Sequence, residues 1–111
     1  MRPKKSLWWI PLIPSLLIVL GAFLNILAVT VNKGYMPVVL PAGWGSFAPG
    51  AIIDPRHVSW SSDVHLSILC DWIQWFDSSV CSPGDMFLML GDFLQVPALC
   101  FWAAINIFRA D

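Results

Sequence analysis

The chain has 111 residues, of which 58 % are hydrophobic and 12 % are charged, and its mean hydropathy is +0.72. A soluble domain has about 45–50 % apolar and about 25 % charged residues, so the composition excludes an ordinary soluble protein and predicts one small membrane domain. The net charge of -1 excludes a basic surface for nucleic acid.

The first apolar segment, residues 7–31, contains no charge and follows a short basic segment, residues 1–6. At about 1.5 Å per residue it can cross a hydrocarbon core about 30 Å thick, so it is predicted to be a transmembrane helix and signal anchor. Trp8 and Trp9 are expected at the membrane boundary, and the regular helix is expected to begin near Pro14. A cleavable signal peptide is the alternative, but the run is longer than a usual signal core.

Residues 32–62 are rich in proline and glycine, which interrupt helices and strands, so this segment is predicted to be an ordered external loop. Its many apolar residues include Trp44 and Trp60. So short a chain offers these residues no globular core, and they are expected to contact a partner protein or lipid.

Residues 63–77 would place apolar side chains on one broad side of a helix and polar ones on the other. The segment is too short to span a bilayer and is predicted to be an amphipathic interfacial helix, with Trp72 and Trp75 as contacts. A helix against a partner subunit would have the same pattern. Cys70 and Cys81 form either a disulfide, if this region faces an oxidising compartment, or two unpaired thiols.

The second apolar segment, residues 82–109, begins with a helix-start signal. Ser82 can cap the first turn, Pro83 suits the first helical position, and the Asp85 carboxylate favours the positive end of the helix dipole. The segment is predicted to be a second transmembrane helix, followed by a cytoplasmic end at residues 110–111.

Three polar residues inside the predicted spans are candidate contact residues. An ionisable group at membrane depth is costly, so Asp92 suggests a proton relay or pairing with a partner. The alternative is that the helix projects beyond the bilayer before Phe93, which would leave Asp92 at the external interface. Gln95 and Asn25 are candidates for interhelical or partner hydrogen bonds.

Cofactor and catalytic signals are weak. His57 and His65 could ligate a pigment or titrate, but both lie outside the predicted spans, and a solvated or interface-bonded histidine is the alternative for each. The sequence has no GxSxG, HExxH, Walker or CxxC motif. We therefore expect no enzyme activity, no metal site, and no cofactor beyond a pigment or quinone contact.

These elements predict an all-α membrane protein: two transmembrane helices joined by a long external loop that carries a short amphipathic interfacial helix. Lysine and arginine are concentrated before the first helix, and Arg109 follows the second. The positive-inside rule then puts both termini in the cytoplasm.

Two segments resemble a known family. Residues 32–38, NKGYMPV, resemble the Asn-Gly-Gly-x-Met-Pro-Val signature of a family of small, uncharacterised bacterial integral-membrane proteins, with Lys33 where the signature has glycine. Residues 80–91, VCSPGDMFLMLG, are similar to that family's Ser-x-Gly-Asp start of the last helix. The resemblance implies a bacterial membrane setting and no particular activity.

The leading hypothesis for function is a non-catalytic accessory subunit that clamps neighbouring subunits of a larger membrane complex, such as a photosynthetic or respiratory assembly. A competing hypothesis is a self-assembling, holin-like membrane protein. A third is a subunit that binds pigment, quinone or lipid through the tryptophan-rich loop and His65.

Overall fold

The computed structural model describes residues 7–41, 45, 47–75 and 79–108. The described residues form two long helices, α1 (Trp9–Val31) and α2 (Pro83–Phe108), with a cap of short strands between them in sequence. Both helices are long and apolar enough to cross a membrane.

The helix ends differ slightly from the predicted ones. Leu7 has a left-handed backbone with a φ of 53°, which a helix cannot contain, so α1 begins at Trp9. Pro14 lies inside α1 rather than at its start, in the second turn, where its ring removes one backbone hydrogen bond. Helix α2 also contains a proline, Pro97.

The two helices run antiparallel and approach most closely at glycines. A Cβ atom at Gly21 would lie 2.5 Å from the carbonyl oxygen of Gly84, and one at Gly91 would lie 2.8 Å from that of Pro14. Side chains at these positions would force the backbones apart, and small residues are what allow membrane helices to contact closely. The glycines therefore set the helix–helix distance.

Within the described residues, the cap contains two small sheets. Strand β1 (Met36–Val38) pairs in parallel with β3 (His57–Ser59), and β3 pairs antiparallel with β2 (Ile52–Asp54), so the order is β1-β3-β2. Strands β4 (Ile73–Trp75) and β5 (Ser79–Cys81) form an antiparallel pair, after which α2 begins.

A small apolar core joins the cap to the C-terminal end of α1. Its buried members are Ala28, Met36 and Cys70. Partly buried apolar residues surround them: Val29, Trp60, Val64 and Leu69. Because Ala28 and Val29 belong to the last turn and a half of α1, the cap is anchored on that end of the helix pair.

The all-α fold class is not confirmed, because the cap contains strands, and the predicted helix over residues 63–77 is wrong for the described part of that segment. A 3₁₀ turn (Ser67–Leu69) is followed by β4. The backbone of this segment finds its hydrogen bonds elsewhere: the Asp71 amide donates to the Pro37 carbonyl, and β4 pairs with β5. These tertiary bonds override the helical pattern.

Candidate functional site

The start of α2 is bonded to α1 through one side chain, Asn25. The Ser82 hydroxyl donates to Asn25 Oδ1 (2.6 Å), and Asn25 Nδ2 donates to Asp85 Oδ1 (2.7 Å). The Asp85 amide donates to Ser82 Oγ, and the Ser82 amide donates to Asp85 Oδ2, which is the reciprocal arrangement of a capping box. Ser82 is fully buried, and all three polar side chains have partners.

Gln95 and Asp92 lie deeper along α2. The Ser15 hydroxyl donates to Gln95 Oε1 (3.2 Å) and also to the carbonyl oxygen of Pro11 (3.0 Å), so Gln95 forms an interhelical hydrogen bond, as Asn25 does. Asp92 is exposed on the helix pair, although its neighbour Gly91 is buried against α1.

His57 lies between two carboxylates, that of Asp54 at the surface of the cap and that of Asp71 in its interior. Asp54 accepts from the backbone amides of Arg56 (2.7 Å) and His57 (2.9 Å), and its carboxylate lies 2.9 Å from His57 Nδ1. These bonds, the Arg56 amide first, lower the pKa of Asp54. On the other side of the ring, His57 Nε2 lies 3.6 Å from Asp71 Oδ2.

Asp71 is the least solvated acid among the described residues. It is 6 % exposed, and its Oδ1 is buried without a hydrogen-bond partner among the described groups, a property it shares with Trp102 Nε1. Burial, followed by the charge of Asp85, raises the pKa of Asp71 to about 6, against the opposing charge of His57.

Cys70 and Cys81 are free thiols and do not form a disulfide. Cys70 is buried, and its Sγ lies 3.6 Å from Asn32 Nδ2 and 3.5 Å from the Leu66 carbonyl oxygen. Burial, followed by the charge of Asp71, raises the pKa of Cys70 to about 11. Burial and nearby acids, Asp85 first, also raise the pKa of Cys81. Both thiols are therefore poor nucleophiles at neutral pH.

His65 lies beside the C-terminal end of α1, at an open groove of about 760 Å³ that Lys33 and Tyr35 also line. Its backbone is held on both sides by Asn32, whose Oδ1 accepts from the His65 amide and whose Nδ2 donates to the His65 carbonyl, both at 2.9 Å. The imidazole itself is exposed, and within the described part of the chain no group of three potential ligands could hold a metal ion.

The four candidate tryptophans are dispersed. Trp60 packs against the cap core, whereas Trp72 is exposed and donates its Nε1 proton to the Ile68 carbonyl (2.8 Å). Trp75 is the last residue of β4. Trp44 lies outside the described residues.

Sequence reasoning considered His57 only as a possible pigment ligand or titrating group, and it missed Asp54 and Asp71. An aspartate followed by proline and, three residues later, by a histidine is a turn in which the carboxylate can accept backbone amides, and that spacing is the available signal for the pair of Asp54 and His57. The approach of Asp71 to His57 depends on its backbone pairing with β1, through Pro37 and Val39, and short-range sequence spacing carries no trace of it.

Comparison with family models gives a match to residues 11–97, described as a family of unknown function, DUF5317. The match includes all but the first two residues of α1, the cap and the first half of α2. Comparison with curated proteins gives no match, and neither does comparison with solved structures. Because the family model covers well over half of the chain, the protein belongs to the DUF5317 family.

Proposed function

We propose that this protein is a non-catalytic accessory subunit of a larger membrane protein complex, with Asp92 as its central contact inside the bilayer. In this proposal α1 and α2 both cross the bacterial inner membrane, and the cap lies on the outer side. The basic segment before α1 supports a cytoplasmic position for both termini.

The alignment of α1 with α2 supports a position for each end of the helix pair relative to the bilayer. Ser15 is bonded to Gln95, and the helices are antiparallel, so Trp102 and Trp8 are each seven residues, or about 10 Å, further toward the same end. Tryptophans favour membrane–water boundaries. A hydrocarbon core of about 30 Å measured from that level reaches Ala28, just where the cap begins.

The observation on which the proposal rests is the depth of Asp92 that follows from the same alignment. Asp92 is ten residues from Trp102, so it lies about 15 Å from that boundary and therefore near the middle of the bilayer. It is exposed on the surface of the helix pair, whereas Gln95 is bonded to α1. A carboxyl group facing hydrocarbon is costly, so a donor or cation from a neighbouring transmembrane helix is the partner that fits it.

The experiment is purification of the tagged full chain from membranes in mild detergent, with mass spectrometry and an absorbance spectrum of the eluate. We expect other membrane subunits at fixed stoichiometry with the wild-type chain and their loss with Asp92→Asn. Asp63→Asn, which removes an exposed cap carboxylate, is the matched control and should retain them.

Other outcomes contradict the proposal in distinct ways. Recovery of the chain alone, or only as a homo-oligomer, would favour the self-assembling, holin-like alternative. Visible absorbance bands without other subunits would favour the pigment- or quinone-binding alternative, with His65 as the first residue to replace.

A further inference from the structure

We infer that Leu66, Ile68 and Trp72 form a lipid-contacting surface on the cap, which inserts at the outer boundary of the bilayer. The inference rests on the membrane placement of α1 and α2 proposed above. It assigns a partner, the lipid interface, to a surface that is separate from Asp92.

The position of this surface follows from the cap core. Leu69, the last residue of the 3₁₀ turn, and Cys70, which follows it, pack with Ala28 and Val29 of α1. Ala28 is twenty residues, or about 30 Å, from the level of Trp8, so the turn lies beside the helix pair at the outer limit of the hydrocarbon.

The surface is strongly apolar. Leu66 is 46 % exposed, Ile68 is 68 % exposed and Trp72 is 45 % exposed. The one charged residue between positions 66 and 72 is Asp71, which is buried in the cap. Apolar side chains together with a tryptophan are what an interfacial membrane anchor uses, and the exposed apolar surface of both helices continues below.

The backbone of the turn is also suited to a poorly hydrated position. The amides of Leu69, Cys70 and Trp72 donate to nearby backbone carbonyls, and the indole of Trp72 donates to the Ile68 carbonyl. The pairing of these groups lowers the cost of placing this irregular backbone in a bilayer, where an unpaired amide or carbonyl is expensive.

Leu66 itself has a left-handed backbone with a φ of 48°, a conformation that disfavours leucine. The bonds of Asn32 to both backbone groups of His65 hold the chain at this point. Leu66 is only partly covered by the cap, and burial of the rest of its side chain in lipid would offset part of this strain.

The test is a collision experiment on the full chain reconstituted in phosphatidylcholine–phosphatidylglycerol vesicles. A nitroxide label is placed at Ile68→Cys, in a chain with Cys81→Ser and Cys100→Ser that keeps the buried Cys70. The matched control is Ile52→Cys, an exposed isoleucine of similar size on β2, which β3 separates from β1. Phe93→Cys, at an exposed position of α2, reports whether the helices are in lipid.

We expect the label at 68 to collide with oxygen several-fold more often than with a water-soluble nickel chelate, relative to the label at 52. A ratio at 68 equal to that at 52 would overturn the inference, and so would low collision with both reagents, which indicates protein cover. If position 93 is also water-accessible, the membrane placement fails; if only 68 is, this inference alone fails. Leu66→Cys repeats the test on the same surface.

Discussion

The helix pair and the cap are stabilised in different ways. Contact between α1 and α2 depends on glycines and on two interhelical polar contacts, one at Asn25 and one at Gln95. The cap has strands of only three residues, a core of few buried side chains, and single polar side chains that bond distant backbone groups. We therefore expect larger side chains at the helix contact to destabilise the helix pair. We expect the loss of individual polar groups, and changes in pH, to destabilise the cap.

The largest effect should come from enlarging a glycine in the helix pair. Gly84→Ala would place a Cβ atom against the Asn25 side chain and 2.7 Å from the Gly21 carbonyl oxygen, so the helices must separate there. We expect a loss of about 3 kcal/mol in the free energy of unfolding, at the upper end for overpacking, together with disruption of the Asn25–Asp85 bond.

The measurement is the thermal unfolding midpoint in detergent. Cys100→Val is the control, because it enlarges an exposed residue of the same helix and should leave the midpoint almost unchanged. Equal midpoints for Gly84→Ala and wild type would contradict the glycine contact.

The second effect concerns pH and the buried acid of the cap. The pKa of Asp71 is raised from an ordinary 3.8 to about 6, so between these values the folded state binds more protons than the unfolded state. The contribution of Asp71 to stability is therefore greatest below about pH 4 and falls by about 2 kcal/mol as the pH rises to 6. The groups that act on Asp71 are Asp85 and His57, and the Cys70 and Cys81 thiols beside it stay neutral in this range.

Asp54 contributes with the opposite sign, because its lowered pKa gives stability that is lost as the pH falls below its ordinary value. The two contributions occupy different pH ranges. Unfolding midpoints measured from pH 4.5 to 7 should fall for the wild type and stay flat for Asp71→Asn, with Asp63→Asn behaving as wild type. A slope that persists in Asp71→Asn would show that another group is responsible.

A third effect is local to the cap and concerns Asn32. Its side chain bonds the carbonyl groups of Ala28 and His65, the His65 amide, and the Cys70 thiol. Asn32→Ala leaves several of these groups without partners, and we expect a loss of about 1–2 kcal/mol that is confined to the cap. The readout is the rate of Cys70 alkylation, which should rise about tenfold, whereas Thr30→Ala on the same helix end should leave it unchanged. An unchanged rate in Asn32→Ala would mean that Asn32 does not hold this segment.

The same difference between the regions explains what could be predicted from the sequence. Long, mostly apolar runs and the Ser82-Pro83 start predict long helices, because helical bonds are local and an apolar run is visible in the sequence. The segment from 63 to 77 has a helical pattern too, but its backbone bonds to Pro37, Asn32 and β5, partners that no local pattern reveals. Asn25 and Gln95 lie on helices that the sequence predicts, so they could be named as contact residues. The approach of Asp71 to His57 depends on distant backbone pairing and is visible only in the structure.

The smallest effect should come from the hydrogen bond between Ser15 and Gln95. Ser15 has one hydroxyl proton, which the Pro11 carbonyl and Gln95 Oε1 share, and interhelical side-chain bonds of membrane proteins average about 0.6 kcal/mol. A double-mutant cycle with Ser15→Ala and Gln95→Leu should therefore give a coupling energy near about 0.5 kcal/mol, well below the loss expected for Asn32→Ala. A coupling above about 2 kcal/mol would mean that this polar contact, rather than the close approach at the glycines, determines the stability of the helix pair.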